Sequence, residues 1–203
     1  ESQALELLTS REARHAFDLT REDDATRDRY GRNAWGQQLL MARRLVEAGV
    51  DIVTTELSGP LCGRTGVWDD HAVDHHVFEA LRFRAAAYDN AVAALIEDIH
   101  DRGLADRVLV VVTGEFGRTP KISYGPSTGA GNASGPAGTI QPGRDHWPQA
   151  FSNIWAGGGI EPGRVIGATD KRGEQVVERR CTAQDFLATL YHHLGIDAAR
   201  VTI

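Results

Sequence analysis

Val108-Leu109-Val110-Val111-Val112 is a run of five apolar residues with no polar residue among them, and it constrains the fold more than any other stretch. A strand with one wet face alternates apolar and polar side chains, whereas a strand covered on both faces does not. Residues 107–113 are therefore expected to form a strand inside a sheet that carries helices on both sides. The heptapeptide Gly114-Glu115-Phe116-Gly117-Arg118-Thr119-Pro120 follows directly. That is the carboxyl end of the expected strand, where ligands of open α/β sheets bind.

The flanking pattern agrees with a layered α/β protein. Leu5, Leu8, Ala16 and Phe17 give one helical pattern, and Trp35, Leu39, Leu45 and Val46 give a second that stops at Gly49. Residues 50–57 are rich in β-branched side chains and end at Ser58-Gly59-Pro60, which reads as a strand. Val77, Leu81, Tyr88, Val92, Leu95, Ile96 and Ile99 recur at helical spacing up to Gly103. The order helix, strand, helix, strand predicts a mostly parallel sheet with right-handed crossovers.

Further along, residues 151–156 read as a strand closing on Gly157, and residues 175–178 as a short edge strand. Thr182 has the character of an N-cap, with Asp185 near the positive end of the helix dipole. Phe186, Leu187, Leu190, Tyr191 and Leu194 supply that helix's apolar face, and Gly195 its stop. Between these elements, residues 117–145 exceed the usual connection of about 4–6 residues. They are expected to be a long flexible active-site loop, with its tip at residues 127–135, where no large apolar residue can anchor the chain.

Composition narrows the class. With 203 residues, 41% hydrophobic and 25% charged, the chain suits one ordinary globular domain over residues 1–203. The net charge of -6, without a dense basic run, argues against nucleic acid as a partner. Arg21-Glu22-Asp23-Asp24 and Asp170-Lys171-Arg172 read as solvated surface. Cys62 and Cys181 are too few for a metal knuckle or a disulfide framework. No stretch approaches the roughly 20 apolar residues of a membrane span. The chain opens inside a helical pattern with no initiator methionine, so it is expected to be the C-terminal part of a longer protein. Composition does not set the oligomeric state.

Three places offer metal ligands: Asp69 with His71, Glu115, and Asp145 with His146. Mixed imidazole and carboxylate sets typically take zinc, manganese or iron. In an extended segment residues two apart point the same way, so Asp69 and His71 can reach one ion. His75 and His76 are read as the polar opening turn of the next helix, with a ligand role for one of them as the alternative. Glu115 sits between Gly114 and Gly117, which permit a tight backbone path. Arg118 is either a guanidinium fork for a phosphate or sulfate oxyanion or the ion-pair partner of Glu115 or Asp145. Asp145 is either a ligand or a carboxylate that orients an imidazole from behind. His15, His100, His192 and His193 are accounted for by helical periodicity.

Trp68-Asp69-Asp70-His71, the heptapeptide at Gly114, Gly143-Arg144-Asp145-His146-Trp147-Pro148, Ala156-Gly157-Gly158-Gly159-Ile160 and Val165-Ile166-Gly167-Ala168-Thr169-Asp170 occur in this order. In these motifs the chain, from about Gln37 onward, resembles the family known as domain of unknown function 1501, sulfatase-like relatives of the alkaline phosphatase superfamily. The resemblance implies an alkaline-phosphatase-like α/β/α sandwich, incomplete at its N-terminus. It implies hydrolysis of small-molecule or glycan sulfate or phosphate esters with divalent metal, zinc, manganese and calcium not being distinguished. Asp69, His71 and His146 correspond to ligands of one ion, and Glu115 to a carboxylate at a second. Arg118 would bind substrate, and export to the periplasm is implied as well. Relatives carry an Asp-His pair where this chain has Glu115-Phe116, so the second ion would lose a ligand. The relatives' nucleophile lies upstream of anything here, and Leu61-Cys62-Gly63-Arg64 lacks the sulfatase arrangement. No catalytic nucleophile is therefore expected within this chain, and the alternative is a non-catalytic binding or structural protein that keeps the fold.

Overall fold

The structure, a computed structural model, describes residues 10–61, 67–197 and 200. Leu5, Leu8 and Cys62 lie outside the described residues. The chain divides into two compact units, residues 1–102 with 122–144, and residues 103–121 with 145–203. The helices are α1 (Arg11–Phe17), α2 (Asp24–Tyr30), α3 (Ala34–Glu47), α4 (Val77–Asp101) and α5 (Ala183–His193). The strands are β1 (Leu109–Val112), β2 (Gly117–Arg118), β3 (Ser123–Pro126), β4 (Ile140–Gly143), β5 (His146–Trp147), β6 (Ile154–Gly157), β7 (Ala168–Thr169) and β8 (Val176–Glu178).

The first unit is helical, with the β3–β4 hairpin beside it. Each helix begins where a polar side chain takes up an orphan backbone N–H. Ser10 accepts from Ala13 N at 2.9 Å, Asp23 from Thr26 N at 2.6 Å, and Asn33 from Trp35 N and Gly36 N at 3.1 Å. Trp35, Leu39 and Leu40 of α3 are buried with Ala91, Val92, Leu95 and Ile99 of α4. Their spacing of three and four residues puts one stripe of each helix into the core, and each large side chain contributes about 1.5–3 kcal/mol through burial.

This core also contains charge. Arg43 is 2% exposed and reaches Glu22 at 2.9 Å, Glu47 at 2.6 Å and Asp98 at 2.9 Å. The Asp98 approach to Arg43 Nε is an ion pair without hydrogen-bond geometry. Arg44 pairs with Glu22 as well, and Tyr30 donates to Asp98 at 2.9 Å. The stretch containing Glu22 is thus not simply solvated surface. Asp23 caps α2, and Glu22 is drawn inward because two guanidiniums on α3 require it.

The second unit contains three antiparallel pairs and α5. β1 runs against β6, Leu109 facing Gly157 and Val112 facing Ile154. β2 pairs with β5, and β7 with β8. Thr182 and Asp185 form a reciprocal capping box at the start of α5, and Trp155 meets Phe186 edge to face at 4.9 Å.

The expected alkaline-phosphatase-like sandwich with a mostly parallel sheet is not what forms. Among the described residues the strands make only two-stranded antiparallel pairs. Residues 50–57 form no strand, and Ile52 is 66% exposed. β-branched composition records a fit to a pleated, half-buried surface and does not supply a partner strand. The run at β1 is half-buried along its whole length rather than covered on both faces. An apolar run without alternation reports that neither face is strongly solvated, and it carries no information on strand direction.

Burial alone would raise the Asp98 carboxyl, but hydrogen bonds from Arg102 and Tyr30 and the charge of Arg43 hold it below its ordinary value. Glu22 is held down in the same way by Arg43 and Arg44 against its burial. A depressed folded-state value favours the charged form. The stability from these groups is therefore complete above their unfolded values, about 4, and is lost as pH falls through the lower folded ones. Thermal melting between pH 2 and 7 should show an acid-side fall that is shallower in Asp98→Asn. At neutral pH that variant should lose about 3–5 kcal/mol in urea titration, because it unbalances a buried ion pair.

Candidate metal centre

Asp69 and His71 belong to the first unit, and the loop carrying them is built from its core outward. Trp68 stacks on Trp35 with ring centroids 5.5 Å apart and meets Tyr88 edge-on at 5.7 Å. The indole N–H of Trp68 donates to Leu57 O at 2.6 Å, and that of Trp35 to Ser58 O at 3.1 Å. With Trp68 fixed, the next three residues alternate. Asp69 is exposed, Asp70 is buried against Arg84 of α4, and His71 is half-buried.

The other side of the loop is held by the β3–β4 hairpin and its glycine-rich tip. Asp70 O accepts from Arg144 N at 3.0 Å, Ala72 O from the Gln141 amide at 2.7 Å, and Val73 O from Thr128 N at 3.0 Å. Asp74 O accepts from Ser134, and His76 N donates to Ala133 O at 2.9 Å. Residues 127–135 lack an apolar anchor, and these polar contacts stand in its place. Gly143 is required here, since a Cβ would run into the backbone of His71 and Ala72.

The Asp69 Oδ1 to His71 Nδ1 distance is 3.3 Å. Two ligands bound at about 2.0–2.1 Å with tetrahedral angles stand about 3.3–3.4 Å apart. The pair therefore has the chemistry and the separation of one edge of a zinc-type site. It exceeds the ~2.7–2.9 Å of a charge-assisted hydrogen bond between the same groups.

Glu115, Arg118, Asp145 and His146 belong to the second unit. In the β2–β5 pair Arg118 faces His146 and Gly117 faces Trp147. Thr119 N donates to Asp145 O at 2.8 Å, and Asp145 N donates to Thr119 Oγ1 at 3.0 Å. Gly117 has no room for a Cβ, which would meet Ala150 O. Phe116 lies against His146 with ring centroids 4.2 Å apart, and the Arg118 guanidinium is 5.9 Å from the Phe116 ring centre. Glu115 is exposed and joins no cluster of three or more His, Cys or carboxylate ligands among the described residues.

Residues 2–203 match the family model described as "Protein of unknown function (DUF1501)". The chain belongs to this family. No curated protein and no solved structure matches it. Family membership agrees with the motif order around Asp69, Glu115 and His146, and the family's own description assigns no activity.

The structure thus brings Asp69 to His71, and Arg118 and Phe116 to His146. His76 caps α4, accepting from Glu79 N at 3.4 Å, and His75 is buried beside Asp70. The sequence reading passed over Arg84. Its signal was available: Arg84 falls on the apolar stripe of α4, four residues after Ala80 and four before Tyr88, where a guanidinium has no place without a buried acid. Gly143→Ala should cost about 1–3 kcal/mol in urea unfolding through overpacking, and stability equal to the parent protein would contradict the close seating of the hairpin on residues 71–72.

Proposed function

We propose that Asp69, His71 and His146 hold one divalent cation and that the protein is a metal-dependent hydrolase of small-molecule or glycan sulfate or phosphate esters. The observation that carries this reading is the 3.3 Å separation of the Asp69 and His71 ligand atoms. The inclusion of His146 rests on the motif resemblance.

Two imidazoles and one carboxylate suit zinc, manganese or iron better than calcium. A bound ion of this kind supplies Lewis acidity toward an ester oxygen. Arg118 offers a planar fork to the remaining sulfate or phosphate oxygens. In this reading Asp145 orients the imidazole that follows it, and Glu115 is the carboxylate of a second ion. Kinship with sulfatase-like enzymes and export from the cytoplasm belong to the same reading and rest on the motif resemblance.

A second reading, a binding protein without turnover, is favoured by one feature. Phe116 packs on His146 where the resembling enzymes place a ligand, giving a flat aromatic and cationic surface in place of a second ion site.

Elemental analysis of the full-length protein should find about one divalent ion per chain, lost in His71→Ala and in His146→Ala. Aryl sulfates, phosphomonoesters and phosphodiesters, each assayed with Mn, Zn and Ca, should show turnover that falls in His146→Ala by more than the ~10- to 100-fold typical of groups behind the ligands. Absence of any stoichiometric ion would sink the metal reading. A bound ion with no turnover on any ester class would favour the binding protein.

A further inference from the structure

We infer that the buried ion pair between Arg84 and Asp70 is a positioning device, which turns Asp69 and His71 to one side of their loop and holds them there. The use of that pose rests on reading the two residues as ligands, but the pose itself does not.

The loop alternates along three residues. The side chain of Asp69 is 52% exposed, that of Asp70 5%, and that of His71 26%. Asp70 points into the first unit and meets Arg84, which is 0% exposed. The alternating exposure shows Asp70 turned inward and its two neighbours turned outward, so fixing Asp70 inward favours the outward direction of both. His75 Nδ1 stands 3.5 Å from Asp70 Oδ1, closing the inner side of the loop. The Arg84 guanidinium also lies 4.9 Å from the ring centre of Trp68, so one cation contacts the residues on either side of Asp69.

An apolar side chain is the ordinary occupant of such a position. Neighbouring positions on the stripe of α4, Ala80, Ala91 and Leu95, are apolar and buried. Replacing a buried ion pair by apolar side chains of similar volume is often neutral or stabilising. The Arg84 Nε is buried without a hydrogen-bond partner, so the guanidinium is held chiefly by Asp70 and the face of Trp68. What the pair supplies is a fixed direction for Asp70. The same loop is also tied through Asp70 O to Arg144 N and Ala72 O to Gln141, and the ion pair adds a side-chain anchor to these backbone ties, so its loss frees the Asp70 side chain and loosens the backbone of residues 69–76.

The test uses the full chain with Arg84→Met combined with Asp70→Leu, which removes the pair without stranding a buried charge, and Arg84→Gln combined with Asp70→Asn as a second neutral variant should the first lose its helical circular dichroism. Arg84→Lys serves as the conservative control. Amide hydrogen exchange is followed without metal, and zinc affinity is measured by competition with a chromophoric chelator. The expected result is faster exchange confined to residues 69–76, unchanged exchange in α3, and zinc affinity lowered about 10- to 100-fold, with partial recovery in Arg84→Lys. Exchange at residues 69–76 equal to the parent protein overturns the positioning role, whatever zinc does. Faster exchange in the variant while the parent binds no zinc leaves the positioning role standing and overturns the metal reading alone.

Discussion

Two guanidiniums in the first unit, those of Arg43 and Arg84, are withdrawn from water, and much of that unit is arranged to supply the carboxylates they need. A buried charge is tolerated only when its partner is buried with it. Arg43 therefore collects Glu22 from the turn before α2, Glu47 from its own helix and Asp98 from α4, tying three segments at one point. Arg84 collects Asp70. The first requirement fixes how the helices close, and the second fixes how the loop after Trp68 leaves them. The candidate ligands Asp69 and His71 thus take their direction from the same constraint that organises the helices.

Local order was legible in the sequence because it is written in local chemistry. The apolar stripes of α3, α4 and α5 recur at helical spacing, and Gly49, Gly103 and Gly195 take positive φ just past three helix ends, the conformation that made them stop signals. Thr182 and Asp185 cap α5 as their side chains predict. The pairing of Asp69 with His71 was legible too, since residues two apart share a face in extended chain. Arg84 escaped because its meaning depends on Asp70, fourteen positions away, and a periodicity that scores apolar residues skips a charged one.

The architecture was not legible, and the reason lies in what an apolar strand encodes. β1 shows that its surroundings are not water, but the hydrogen-bond direction of β6 is decided by how residues 113–153 return the chain. Val112 faces Ile154 and Leu109 faces Gly157, an antiparallel return that needs no crossover helix. Residues 50–57 have the composition of a strand and no paired strand among the described residues. Propensity without a neighbour leaves the segment without a ladder, and its end is held by side chains, the indole of Trp68 donating to Leu57 O and that of Trp35 to Ser58 O just beyond.

Phe116 first reads as a gap in a ligand set, and its packing gives it a second meaning. A ring 4.2 Å from the His146 imidazole restricts the rotation of that side chain, and the antiparallel register of Arg118 with His146 fixes the backbone beneath it. An imidazole whose ring is already held in one orientation loses less freedom on binding an ion. The residue that offers no ligand of its own therefore limits the orientations open to the His146 imidazole. Each unit thus orients its own candidate ligands, His146 by an aromatic face in the second and Asp69 with His71 by a buried ion pair in the first.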